Sequence, residues 1–216
     1  MILLNKKKKI ILDGVLLSVI LLLYFTEWIQ FPYKLPLCAL VIMAVTFYKN
    51  KNLQELGFLR NVSFWKTLVW ALLLVFIATV AILIWTPFLE SLFGKPDYSA
   101  YGALKGNKEV VIQLWIYGMI SAAFAEEVIF RGYFCSLLEN YIGTSQVSKT
   151  IMVVTGALLF TLAHYSQGIS ALINIFIISL AFYIVFICSG RNIYATILAH
   201  AIIDTVGLYQ IYLGDY

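Results

Sequence analysis

The stretch FWKTLVWALLLVFIATVAILIWTPF, residues 64–88, contains one charge, Lys66, and that charge sits near its edge. About 20 consecutive apolar residues span the hydrocarbon core of a bilayer as a helix. This run is long enough to do so, and apolar runs of similar character recur on both sides of it. The whole chain of 216 residues is 62% hydrophobic and only 12% charged, with a mean hydropathy of +0.91. Soluble domains carry about 25% charged residues, so this chain lacks the charge to cover a water-exposed surface. The expected class is all-α: a polytopic transmembrane helix bundle.

With residues 64–88 as the third, we count seven candidate spans, at about 9–29, 33–48, 64–88, 110–138, 149–165, 169–188 and 191–213. The second is short, with Pro32 and Pro36 near its start. Lys6–Lys9 followed by Ile10 to Tyr24 resembles a signal peptide. No small-x-small cleavage site follows, so a retained first helix is expected. No repeat or linker divides the chain, and residues 1–216 read as a single integral membrane domain. Asn50 to Ser63, with Leu53, Leu56, Phe58 and Leu59 among polar residues, reads as a short interfacial segment. Glu90 to Glu109, with Gly94-Lys95-Pro96, Gly102 and Gly106, reads as a polar loop.

The net charge of +4 is explained by membrane topology. Lys and Arg favour the cytoplasmic ends of spans. Lys6–Lys9, Lys49, Lys51, Arg60, Lys66, Lys149 and Arg191 fall on one side, and Lys34, Lys95, Lys105 and Lys108 on the other, a balance of 10 against 4. The expected location is the cell membrane, multi-pass, with a cytoplasmic N-terminus. No basic face with interleaved aromatics suggests nucleic acid. Cys38, Cys135 and Cys188 are odd in number and lack a C-x-x-C, which argues against a disulfide or zinc framework.

Ionisable residues at membrane depth cost roughly 2.5–3.5 kcal/mol each on insertion scales, and they mark functional cavities. The fourth span contains Ala125-Glu126-Glu127-Val128-Ile129-Phe130-Arg131. Glu127 and Arg131 are four apart and can pair on one face. Glu126 points elsewhere and is left without that partner. The two histidines are His164, four after Phe160, and His200, four before Asp204. At 1.5 Å per residue, Glu126, His164, His200 and Asp204 lie roughly 18, 22, 13 and 20 Å from the shared cytoplasmic edge. They fit one polar cavity.

A carboxylate near a histidine can activate water, and a second histidine can donate to the oxyanion formed when water attacks a carbonyl. The same four side chains would also suit a divalent metal such as zinc. The sequence has no H-E-x-x-H and no G-x-S-x-G. Ser166, two residues after His164, has no nucleophile context, and Asp215 lies outside any span.

Glu126-Glu127-x-x-x-Arg131, Phe160-x-x-x-His164 and His200-x-x-x-Asp204 together resemble the three motifs of the CAAX protease and bacteriocin-processing (Abi) family of intramembrane proteases. The likeness covers about residues 110–213, and Leu56-Gly57-Phe58 is similar to a less specific family feature. The resemblance implies an intramembrane endopeptidase acting on a membrane-associated peptide or protein, serving bacteriocin self-immunity or peptide maturation. It implies Glu126 as the water-activating base, assisted by His164, with Glu127 and Arg131 holding the site. His200 and residue 204 would form the oxyanion pocket. Position 204 is asparagine in the eukaryotic prenyl-protein proteases, and an ionised Asp204 cannot donate a hydrogen bond. Asp204 must therefore be protonated, orient His200 or bind metal. Two other readings stand beside this one. One is a non-enzymatic immunity protein that binds a bacteriocin or its receptor. The other is an ion-coupled transporter, which lacks the broken helix pair or inverted repeat expected of one.

Overall fold

A computed structural model describes residues 6–26, 28–59 and 61–214, with the side chains of 6–10 and 25 outside the description. Lys6–Lys9 as charge carriers, Arg60 and Asp215 thus lie outside the described side chains. Seven helices follow one another: α1 Lys6–Phe25, α2 Lys34–Asn50, α3 Phe64–Phe93, α4 Lys108–Ile142, α5 Gln146–Leu162, α6 Ile169–Cys188 and α7 Ile193–Leu213. The described residues contain no strand. All seven spans of the sequence reading have a helix. α3, α4, α6 and α7 are long and apolar enough to cross a membrane, and α5 and residues 11–24 of α1 are shorter apolar helices.

α3 packs on α6 and α7, α5 on α6, and α2 and α7 on the middle of α4. Large apolar side chains along α3, such as Val69, Phe76, Leu83 and Ile84, face outward. In lipid this costs nothing, which is why a helix apolar on all sides can sit at the edge of the bundle. The inner faces carry small or polar groups: Ala71, Ala78, Ser121, Ala125, Gly156, Ser179 and Ala199. Such residues let helices approach closely in a membrane.

α1 is held in place by a buried ion pair between Asp13 and Lys49 of α2. Tyr133 of α4 also donates to the Asp13 carbonyl at 3.4 Å. Lys49 thus has a partner inside the protein as well as a place among the topology-setting cations. Cys38 and Cys135 are buried and Cys188 is exposed, all three as free thiols.

Three expectations need correction. The fourth span is one continuous helix, but its middle, Met119–Tyr133, is a π-helix. There the backbone bonds reach five residues back, as in Phe134 N–H to the Ile129 carbonyl. Such turns are rare and occur frequently at functional sites. The segment before α3 is turned inward. Its short 3-10 turn Gln54–Leu56 buries Leu56, and Gly57 adopts φ +91°. A Cβ on Gly57 would lie 2.5 Å from the Arg191 carbonyl, and one on Gly132 would lie 2.9 Å from that of Leu56. Finally, α5 stops at Leu162, so His164 stands in the turn beyond the helix, its N–H bonded to the Thr161 carbonyl.

Candidate active site

The π-helical part of α4 carries Glu126, Glu127 and Arg131. Glu127 is fully buried and Arg131 nearly so. One carboxylate oxygen of Glu127, Oε1, lies 3.0 Å from Arg131 Nη1. The same oxygen accepts a 2.9 Å hydrogen bond from His200 Nδ1. The pairing of Glu127 with Arg131 was legible in the sequence. The bond to His200, across from α7, was not, because it spans 73 residues. Glu127 therefore fixes His200 as well as Arg131.

A buried guanidinium needs compensation on all sides. Arg131 Nη2 donates to Ser179 Oγ at 3.2 Å. Its Cζ lies 4.3, 4.9 and 5.0 Å from the ring centres of Phe160, Phe182 and Tyr183. Aromatic faces attract such a cation, most strongly where water is excluded. Tyr183 is itself fixed by its hydroxyl donating to the Phe130 carbonyl at 2.8 Å. Sequence reasoning missed Ser179, Phe182 and Tyr183, although their three- and four-residue spacing puts them on one face of α6.

Phe160 is the hinge of the arrangement. Its ring centre lies 4.3 Å from the guanidinium, 4.9 Å from the His164 ring and 6.3 Å from the His200 ring. The Phe160 carbonyl lies 2.9 Å from His164 Nδ1. A carbonyl only accepts, so Nδ1 carries the proton and Nε2 presents a lone pair. That is the tautomer a base or a ligand requires.

His200 uses both nitrogens. Nδ1 donates to Glu127, and Nε2 lies 3.6 Å from Asp204 Oδ1, one helical turn further along α7. Glu126 has no hydrogen bond or ion pair among the described residues. It is partly exposed, and the charges of His200, Asp204 and Arg131 act on it. The charge of His164 acts on Asp204 in the same way. His164 and His200 thus both lie against the Phe160 ring with Asp204 beside His200, and Glu126 is in electrostatic reach of His200 and Asp204.

Among the described residues, no three His, Cys, Asp or Glu side chains stand as a metal-ligating group. His200 also has no free lone pair at Nδ1, which is committed to Glu127.

No curated protein and no solved structure matches the chain. Residues 108–206 match the model of a family described as type II CAAX prenyl endopeptidase, Rce1-like. The matched region starts with α4 and ends just past Asp204, so it includes all three motifs and every residue of the site. The match agrees with the likeness seen in the motifs: residues 108–206 of this membrane protein are similar to the Rce1-like type II CAAX prenyl endopeptidase family.

Proposed function

We propose that the protein is an intramembrane endopeptidase that hydrolyses a peptide bond in a membrane-associated peptide or protein, with Glu126 as the base. The supporting observation is the division of labour between adjacent carboxylates. Glu127 is tied to Arg131 and His200, whereas Glu126 has no such partner among the described residues and is partly exposed.

In this reading Glu126 takes a proton from water, and the hydroxide adds to the scissile carbonyl. His164 Nε2 accepts a hydrogen bond from that water and orients it. The oxyanion is stabilised by His200 Nε2–H, with a protonated Asp204 as second donor. Glu126 then passes its proton to the leaving amine, the C–N bond breaks, and the carboxylate is restored. This reading requires no metal. Residues 1–216 act as one domain, with the Lys-rich connections in the cytoplasm. Self-immunity against a bacteriocin or maturation of an exported peptide would each use the same hydrolysis. A non-enzymatic immunity role would not need Glu126 kept apart from Glu127.

The test is to map newly formed protein termini in cells producing the native protein or Glu126→Gln. The proposal expects a set of termini that the variant abolishes. Identical termini from both would overturn it.

A further inference from the structure

The backbone of α4 changes its bonding inside the site. Through Met119–Tyr133 it is π-helical, and from Phe134 onward it is α-helical. In an α-helix the Phe134 N–H would bond to the Phe130 carbonyl, four residues back. Here it bonds to the Ile129 carbonyl instead. Where bonds reaching five residues back give way to bonds reaching four, one carbonyl is passed over. The Phe130 carbonyl stands at that junction. A backbone carbonyl without a partner is costly in the apolar interior of a membrane, and a side chain of a neighbouring helix can supply what the helix itself does not.

The donor is Tyr183 of α6. Its hydroxyl bonds to the Phe130 carbonyl at 2.8 Å, across 53 residues of sequence. Tyr183 is wholly buried, and it reaches α4 because α5 makes room for it. A Cβ on Gly156 would lie 2.3 Å from Tyr183 Cζ and 2.5 Å from its hydroxyl oxygen. Only glycine at 156 leaves the phenol where it stands. By contrast Gly207, also within a helix, has nothing within 4 Å of its Cβ. The Tyr183 ring centre lies 5.0 Å from Arg131 Cζ. Three helices thus converge on one peptide group, one residue before Arg131 and three after Glu127.

We infer that Tyr183, seated against Gly156, holds α4 in its π-helical register and is thereby a positioning residue for Glu126, Glu127 and Arg131. Without the hydroxyl, the Phe130 carbonyl regains its α-helical partner, the Phe134 N–H. That exchange turns the part of α4 that carries Glu126 and Glu127 relative to α7. It loosens the 2.9 Å bond between Glu127 and His200 Nδ1. Tyr183 lies outside the three motifs and acts only through α4. That the positioned groups cut a peptide rests on the protease reading above. That Tyr183 positions them does not.

Tyr183→Phe removes the hydroxyl and keeps the ring against Arg131. The test follows the His200 Nδ1 proton by NMR in the full-length protein, isotope-labelled at histidine and held in detergent, with His164→Ala to assign the rings. This proton should exchange with water about two- to tenfold faster in Tyr183→Phe than in the native protein, the range that one hydrogen bond is worth. Gly156→Ala, which displaces the whole phenol, should exchange at least as fast. Tyr48→Phe, at an exposed ring on α2, should exchange at the native rate. The unfolding temperature of Tyr183→Phe should stay near native, which separates a local change from general loosening. On a substrate identified by its new termini, kcat should fall by a similar factor with KM little changed. A folded Tyr183→Phe protein whose His200 proton exchanges at the native rate overturns the inference. So does native kcat in a variant whose exchange has quickened. If the native protein cuts nothing, the protease reading fails, and the exchange rates still decide the role of Tyr183.

Discussion

Glu127 and His200, 73 residues apart, meet through a 2.9 Å hydrogen bond from Nδ1 to Oε1. The same oxygen faces Arg131 at 3.0 Å. This bond joins the first and third motifs and makes Glu127 the anchor of the site. Glu127→Ala would leave the Arg131 guanidinium buried without its counter-charge. Removing one partner of a buried pair costs about 3–5 kcal/mol. The unfolding temperature in detergent should fall sharply, and Glu127→Gln, which keeps an acceptor for His200, should fall less.

Phe160→Leu should separate positioning from folding. Leucine keeps apolar volume but loses the face that touches Arg131, His164 and His200. A cation–π contact is worth about 0.5–2 kcal/mol, so the fold should survive with a modest loss in unfolding temperature. Proteolysis should drop by at least about tenfold, since small displacements of catalytic groups are expensive.

Asp204 is the residue whose protonation matters most to the mechanism. An asparagine at this position could donate from its amide wherever a protonated carboxyl donates. Asp204→Asn should therefore retain most activity, and Asp204→Ala should lose on the order of 10²–10³, the typical cost of one oxyanion donor. Initial cleavage rates of the two variants on one substrate check this.

Gly57→Ala tests the close packing of the Leu56-Gly57 segment against Arg191, Phe186 and Ile193. Its φ of +91° disfavours any side chain, and the new methyl would lie 2.5 Å from the Arg191 carbonyl. A left-handed conformation alone costs about 1–2 kcal/mol, and the clash adds to it. Gly102→Ala, with nothing within 4 Å of its Cβ, should be nearly neutral. Their unfolding temperatures give the comparison.

Asp13 and Lys49 form a buried ion pair between α1 and α2. Asp13→Leu or Lys49→Met alone strands a charge. The double variant strands none, and replacing a whole buried pair by apolar groups is often neutral. The double variant should be more stable than either single one by thermal unfolding.

The helices were legible because a membrane-spanning run is a composition signal and needs no knowledge of its neighbours. The Glu127–Arg131 and His200–Asp204 pairs were legible because four-residue spacing places them on one face. The Glu127–His200 bond was not, since nothing local fixes how α4 meets α7. The π-helical turn was equally hidden, as Met119–Tyr133 reads like any apolar helix. Asp13 does not stand out as an intramembrane charge because it lies near a lysine run that explains itself by topology. The inward fold of Leu56-Gly57-Phe58 escapes a reading in which apolar residues among polar ones signal an interface. Its buried position depends on the small side of Gly132, far along the chain.

In the proposed mechanism two neighbouring glutamates do different work: Glu126 reacts and Glu127 holds. The decisive experiment pairs the unfolding temperature with cleavage for Glu126→Gln in the purified protein, using a substrate identified by its new termini. The unfolding temperature should stay close to native while cleavage falls at least about 10³-fold, within the range by which proton-transfer catalysis contributes. Cleavage near the native rate by a folded Glu126→Gln protein would refute the assignment of Glu126 as the base.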